Sequence, residues 1–147
     1  MANTEIQHKV ENWVRVNFLE REYNCSFTEK KVPLIWGGVF KFDAVSEDGK
    51  IVASISTSGA YMAGGKPGIG KKKKLLADTL YLLNVKSDMK KILIFTEKNM
   101  RDQFEEERKR GRFPHNIDLI VVDLPVQLRA SLMESRQKAS QEVAPKR

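Results

Sequence analysis

The chain has very little of the chemistry that holds disulfide-rich or zinc-stabilised proteins together. It contains one cysteine, Cys25, and two histidines, His8 and His115. One cysteine cannot form an intrachain disulfide, and these three residues do not have the spacing of a zinc site. Apolar runs are also short, since none approaches the roughly 20 residues of a membrane helix. Residues 1–9 lack the cationic-then-apolar order of a secretion signal. The sequence therefore predicts a cytoplasmic protein without a membrane partner.

Positive charge, by contrast, is in excess. The chain carries 26 Lys and Arg against 19 Asp and Glu, a formal net charge of +7. Such a balance favours a polyanionic partner such as nucleic acid, although many soluble proteins without that partner share it. A length of 147 residues suits one domain. We predict a single domain over residues 1–136 and a polar, basic, frayed tail over residues 137–147.

Residues 39–58 have the pattern of a β-hairpin. Asp48-Gly49 is typical of a two-residue type I′ turn, in which both residues have a positive φ. The register set by that turn pairs Val45 with Val52. Alternation along the strands then leaves one apolar face for the core. The other face gathers four polar side chains, with Asp43 opposite Ser54 and Lys41 opposite Ser56.

The rest of the chain alternates between helical and strand patterns. Apolar spacing predicts an amphipathic helix over residues 5–23, and residues 24–31 read as a loop. Residues 32–36 read as a short edge segment in which Trp36 is partly buried. Helices follow over residues 71–83, around residues 100–110 and after Pro125. Apolar runs at residues 91–96 and 117–122 are typical of buried parallel strands. This order predicts a three-layer α/β/α sandwich around a mixed central sheet of about four to five strands.

The element order, together with the motif over residues 42–57, resembles the PD-(D/E)XK, or restriction-endonuclease-like, superfamily. The resemblance extends over most of the chain, but its motifs are short. In that family an Asp and a Glu-x-Lys on adjacent strands bind a divalent cation and activate water for phosphodiester hydrolysis. The resemblance implies a restriction-endonuclease-like core, a nucleic-acid partner with DNA favoured over RNA, and a homodimer or a larger complex.

The motif is incomplete in this chain. Asp43 matches the family aspartate, but Ser54 stands in place of the glutamate and Ser56 in place of the lysine. A serine hydroxyl carries no charge, so the pair cannot replace a carboxylate ligand and an ammonium. The favoured hypothesis is therefore a nucleic-acid-binding protein that has lost catalysis and needs no cofactor.

Two alternatives stay open. In the first, the protein is an active endonuclease dependent on Mg²⁺ or Mn²⁺ whose site has migrated. Asp43 would be the metal ligand and Lys41 would supply the missing ammonium. A further carboxylate would come from Glu47, Glu11 or Glu20. In the second alternative the fold is a protein-interaction subunit of a larger nucleic-acid-processing complex.

Two basic clusters are the candidates for contacts with the nucleic-acid backbone. They are Lys71, Lys72, Lys73 and Lys74, and then Arg108, Lys109, Arg110 and Arg112. Phosphate contacts of this kind give affinity rather than sequence specificity. The adjacent Glu105, Glu106 and Glu107 partly offset the second cluster.

An unrelated class, the P-loop NTPases, matches one short stretch. Residues 65–72 fit the G-x-x-x-x-G-K frame, and Asp123 follows an apolar strand as a magnesium ligand would. However, Lys72 occupies the Ser/Thr position of the frame, and the preceding strand ends near Thr57, well before the glycines. Both departures count against an NTPase, and Asp123 suits a helix cap before Pro125.

Overall fold

A computed structural model describes residues 4–61 and 65–143 of the chain. Five strands form one sheet in the order β1-β2-β3-β4-β5. They are β1 (Phe27–Pro33), β2 (Val39–Ser46), β3 (Ile51–Ser56), β4 (Lys90–Phe95) and β5 (Ile117–Val121). The helices are α1 (Thr4–Trp13), α2 (Glu20–Tyr23), α3 (Ile69–Leu83), α4 (Lys98–Lys109) and α5 (Val126–Val143). A π-helical segment (Val14–Leu19) joins α1 to α2. Strands β1, β2 and β3 pair antiparallel, whereas β3, β4 and β5 pair parallel.

Helices cover both faces of the sheet, and each face has its own core. Leu82 of α3 and Phe104 of α4 belong to the core on one face. Val10 of α1 and Leu132 of α5 belong to the core on the other. The predicted three-layer sandwich around a mixed sheet is confirmed.

The position of β4 inside the sheet explains why residues 91–96 read as a continuous apolar run. In β4, Leu93 and Phe95 belong to the core under α3 and α4. Ile92 and Ile94 belong to the core under α1 and α5. A parallel strand covered on both faces carries mostly apolar side chains, so alternation disappears from its sequence.

The hairpin forms in the predicted register, but its turn differs from the prediction. Val45 pairs with Val52 as expected. Of the two turn residues only Gly49 has a positive φ, of 72°, so the type I′ assignment is wrong. The buried hydroxyl of Ser46 accepts the N–H of Ile51 at 2.9 Å and donates to Asp48 Oδ1 at 2.7 Å. This side chain closes a wider loop over residues 47–50.

The first strand was not predicted in its observed place. Residues 24–31 were expected to form a loop, yet β1 begins at Phe27 and pairs along β2. Only Phe27 and Val32 of this strand are buried, because β1 is an edge strand with charged residues between them. Trp36, expected to be partly buried, is 64% exposed in the turn that follows.

The C-terminal helix is longer than expected. Helix α5 runs to Val143, so residues 137–143 of the predicted tail belong to this helix. Residues 144–147 of that prediction lie outside the described residues. No helix in the described ranges combines the length and the apolar content needed to cross a membrane.

Candidate metal centre

A bulge in β2 shapes the region around Asp43. The register between β1 and β2 shifts by one residue, so that Asp43 and Ala44 both lie against Glu29 of β1. A bulge of this kind inverts the alternation of side chains beyond it. Phe42 accordingly faces the core under α3 and α4, while Ala44 faces the core under α1 and α5.

Asp43 is held in place from two sides. Its Oδ2 accepts the backbone N–H of Ile55 in β3 at 2.8 Å. The guanidinium of Arg15, in the π-helical segment, donates to the Asp43 carbonyl oxygen at 2.8 Å. The carboxylate thus sits between β2 and β3 in a fixed position, as a ligand or catalytic group must.

Three carboxylates from three different elements meet at this point. One oxygen each of Glu11 in α1, Glu29 in β1 and Asp43 in β2 lie within 4.8 Å of one another. Carboxylate oxygens are the ligands preferred by hard cations such as Mg²⁺ and Mn²⁺. We call Glu11, Glu29 and Asp43 the carboxylate cluster.

Burial and mutual repulsion perturb two members of the carboxylate cluster. Burial raises the pKa of Asp43, and the charge of Glu29 adds to the increase, although the N–H of Ile55 opposes it. Burial likewise raises the pKa of Glu11, with the charge of Asp43 as the next cause. Both causes disfavour the ionised carboxylates, and a bound cation would counter them by supplying positive charge.

The third member is already paired. The ammonium of Lys41 lies 2.9 Å from Glu29 Oε1, and this hydrogen bond lowers the pKa of Glu29. Lys41 therefore reaches the carboxylate cluster through Glu29.

The predicted grouping of four polar side chains on one face is wrong. Ser54 and Ser56 alternate with Ala53 and Ile55, so they face the core under α3 and α4 with Val52. Both serines are buried, and Ser56 Oγ accepts the N–H of Ser58 at 3.3 Å. Lys41 instead pairs with Glu29, whose carboxylate meets that of Glu11 on α1. The bulge at Asp43 places Lys41 on the opposite face of the sheet from Ser54 and Ser56. It does so because it breaks the strict alternation from which the grouping was predicted.

Helix α3 supplies two further groups near Asp43. Burial and the charge of Asp43 raise the pKa of Asp78 to about 6, and Lys74 opposes that increase. Lys74 also acts to lower the pKa of Asp43. Positions four apart lie on one helical face, so Lys74 and Asp78 approach Asp43 together from the helical layer opposite Glu11.

Sequence reasoning identified some members of this site and missed others. It named Asp43, Lys41 and Glu11, which the fold brings together. Its other candidate carboxylates lie elsewhere, since Glu20 accepts the N–H of Phe27 at 3.3 Å and Glu47 is exposed beyond the end of β2. Glu29 was missed because its strand read as a loop, and Asp78 because no pattern connects it to Asp43.

The two basic clusters are less uniform than their sequences suggest. Helical geometry distributes the four lysines of residues 71–74 around α3, and Lys72 pairs with Glu107 at 3.5 Å. In the second cluster, glutamates pair with three of the four cations, as expected from their proximity. The pairs are Arg108 with Glu105, Lys109 with Glu106 and Arg112 with Glu107. Backbone contacts by these residues stay a prediction.

The P-loop match has the wrong structural context. Helix α3 begins at Ile69, inside the glycine frame, and β3 ends at Ser56. A P-loop follows its strand directly.

Asp123 lies at a 580 Å³ cavity beyond the carboxyl ends of β4 and β5. There Glu97 pairs with Arg129 at 3.1 Å and Arg136 at 3.3 Å, which ties α5 to the start of α4.

Asp78→Asn is expected to stabilise the fold at neutral pH. Because the pKa of Asp78 is raised from 3.8 to about 6, its stabilising contribution is complete below pH 3.8 and is lost as the pH rises through about 6. At pH 7 the ionised Asp78 carboxylate therefore destabilises the folded state, and the neutral amide of asparagine removes this destabilisation. We expect a gain of about 1–2 kcal/mol after allowance for solvent screening.

Urea unfolding at pH 4 and at pH 7.5 measures this effect, with Asp88→Asn, in the exposed loop after α3, as the control. The gain should appear at the higher pH and shrink at the lower. A loss of stability at the higher pH would show instead that Asp78 forms a stabilising pair with Lys74.

Comparison of the chain with family models, with curated proteins and with solved structures finds no match.

Proposed function

We propose that the protein is a nuclease that depends on a divalent cation, with DNA as the favoured substrate. The observation that carries the proposal is the meeting of Glu11, Glu29 and Asp43 oxygens within 4.8 Å. The incomplete Glu-x-Lys motif had favoured a protein without catalysis. The carboxylate cluster supplies the second and third acidic groups whose absence motivated that view.

The donor set fits Mg²⁺ or Mn²⁺. Carboxylate oxygens suit these hard cations, and Mg²⁺ is commonly held by one or two carboxylates together with water and substrate phosphate. Glu11, Glu29 and Asp43 would hold the ion. A bound cation would supply a more acidic water and would stabilise negative charge that develops on a phosphodiester.

The surrounding residues hold Asp43 in place and would balance the charge of a phosphodiester. The N–H of Ile55 fixes the Asp43 carboxylate, and Arg15 fixes the backbone at the same residue. Lys41 places an ammonium next to Glu29, where it could release that carboxylate and pair with a phosphate oxygen. The net charge of +7 would favour the approach of a polyanion.

One observation favours a second candidate, nucleic-acid binding without hydrolysis. The 2.9 Å pair between Lys41 and Glu29 already provides one carboxylate of the cluster with a positive partner. While Glu29 is paired with Lys41, fewer free ligands face a cation. Lys41→Ala would then increase the affinity for Mn²⁺.

Mn²⁺ binding to the full chain tests the site directly. Glu11→Gln is expected to lower the affinity by about tenfold or more, because it removes a charged ligand and leaves a neutral one of the same shape. Titration calorimetry at pH 7.5 measures the change, and Glu22→Gln, at an exposed site in α2, is the control. Equal affinities of the wild type and Glu11→Gln would contradict the proposal.

Cleavage assays distinguish the two functions. The purified chain should cut DNA in Mg²⁺ or Mn²⁺ and stop when EDTA is added. Binding without hydrolysis, with an affinity that falls steeply with salt, would favour the second candidate because counterion release dominates phosphate contacts. If the chain neither cuts nor binds DNA, the result would favour the remaining alternative, a subunit that docks only on other proteins.

A further inference from the structure

Helix α3 has a second apolar face, directed away from the sheet. Leu75 and Leu82 are buried against the core. Four other large apolar side chains are between 36% and 60% exposed, namely Ile69, Leu76, Leu80 and Leu83. At about 100° per residue, these four lie within about 60° of one another on the helix surface. We call them the outer stripe. A helix with two apolar faces covers only one of them by packing on its own sheet.

The turn between β1 and β2 extends the outer stripe. The N–H of Ile35 donates to the carbonyl oxygen of Asn84 at 2.7 Å, which holds this turn at the C-terminal end of α3. Ile35 and Trp36 are 67% and 64% exposed. Together with the outer stripe they present on the order of 500–600 Å² of apolar surface, against about 800 Å² per partner in a standard interface. The patch is therefore large enough to form the centre of a stable contact.

The spacing within the outer stripe is self-complementary. Ile69 precedes Leu76 by seven residues, and Leu83 follows it by seven. Two copies of α3 packed antiparallel about an axis at Leu76 would bring Ile69 of each copy against Leu83 of the other. An isologous interface requires this kind of match, in which one patch meets itself.

The dipoles of the two helices favour the same arrangement. The lysines at residues 71–74 lie at the N-terminus of α3, where they oppose the dipole of their own helix. In an antiparallel pair, Lys73 would lie near the C-terminal half of the other copy's helix, whose dipole favours cations. We propose that the occupant of the outer stripe is a second copy of this chain, in a two-fold antiparallel dimer.

The dimer leaves the carboxylate cluster accessible. Asp78 lies about 200° around the helix from Leu76, on the side that approaches Asp43. The proposed contact therefore does not depend on the nuclease function, and each can fail without the other.

Sedimentation equilibrium of the full chain tests the dimer. The wild type should be dimeric at a protein concentration of about 100 µM and should dissociate on dilution. Leu76→Lys with Leu80→Lys should weaken the dimer by about a hundredfold or more, because four buried leucines per dimer become charged. Circular dichroism verifies the fold, and Leu80→Gln is a milder second variant. Val126→Lys, at an 85% exposed site in α5, is the control. A monomeric wild type, or a dimer unaffected by the paired lysines, would overturn the proposal.

Crosslinking tests the orientation in a Cys25→Ser background, which removes the only native cysteine. Leu76→Cys should crosslink to itself across the axis with a short bis-maleimide. Ile69→Cys should not, because its two copies would be about 20 Å apart along the helices at 1.5 Å per residue. The combination of Ile69→Cys and Leu83→Cys should crosslink again. Self-crosslinking of Ile69→Cys alone would overturn the antiparallel arrangement.

Discussion

Asp43→Asn is expected to lower the rate of Mg²⁺-dependent DNA hydrolysis by about three orders of magnitude. The carboxylate of Asp43 lies between β2 and β3. Asp43 is also the residue that matches the aspartate of the PD-(D/E)XK motif. Asparagine keeps an oxygen that can accept the N–H of Ile55, so the strand contact at 2.8 Å can survive. The charge that a cation requires is lost. Initial rates on supercoiled plasmid give the comparison.

The control for this experiment is Asp88→Asn, which removes an exposed carboxylate from the loop between α3 and β4. Its rate should equal that of the wild type, and both variants should unfold at temperatures close to the wild-type value. Unchanged hydrolysis by Asp43→Asn would assign any activity to another site or to a contaminant. Binding of DNA should persist in this variant because the basic residues are untouched.

Phe104→Ala is expected to destabilise the fold by about 4 kcal/mol. Phe104 is fully buried in α4, with its ring centroid 5.7 Å from that of Phe95 and 5.4 Å from that of Phe113. The substitution leaves a cavity between α4 and the sheet and removes both aromatic contacts. Because a domain of this size has only about 5–15 kcal/mol of stability, the loss is a large fraction of the total.

Guanidinium unfolding measures the change, and Val126→Ala at an exposed position should alter stability by less than about 0.5 kcal/mol. If Phe104→Ala lowered the free energy of unfolding by as little as the control does, α4 would not pack on β4 as described. The layer containing α3 and α4 would then need to be reassigned.

The architecture was predictable because strong periodicities specify it. Residues 91–96 and 117–122 have no polar alternation, which predicted buried parallel strands. Both strands are parallel, but only β4 is buried along its length, whereas edge strand β5 is partly exposed beyond Ile117. Edge strand β1 gave no such signal. Its burial depends on contacts with β2 along the sheet, and only Phe27 and Val32 reach a core.

The site was partly predictable for a related reason. Asp43 and Lys41 stood out through the motif and the hairpin register, and Glu11 through its position on the first helix. Glu29 could not be found, because its role depends on the bulge that places it against Asp43. No residue type marks that bulge in the sequence. The same bulge separated Lys41 from Ser56, which strict alternation had placed on one face.

The incomplete match to the Glu-x-Lys motif and the carboxylate cluster lead to opposite conclusions about catalysis. Ser54 and Ser56 remove the charges that the family motif would supply on β3. Glu11 and Glu29 provide charges from α1 and β1 instead, within 4.8 Å of Asp43. Whether these carboxylates hold a cation determines which conclusion applies.

A crystal structure of the full chain grown or soaked with Mn²⁺ tests this most directly, with data collected to measure the anomalous signal of manganese. We predict an anomalous peak between Asp43 and Glu11, at carboxylate distances of about 2.0–2.3 Å. The same crystal of Asp43→Asn should lose the peak. The absence of a peak at the carboxylate cluster in the wild type, with Lys41 still paired to Glu29, would contradict the proposed metal centre.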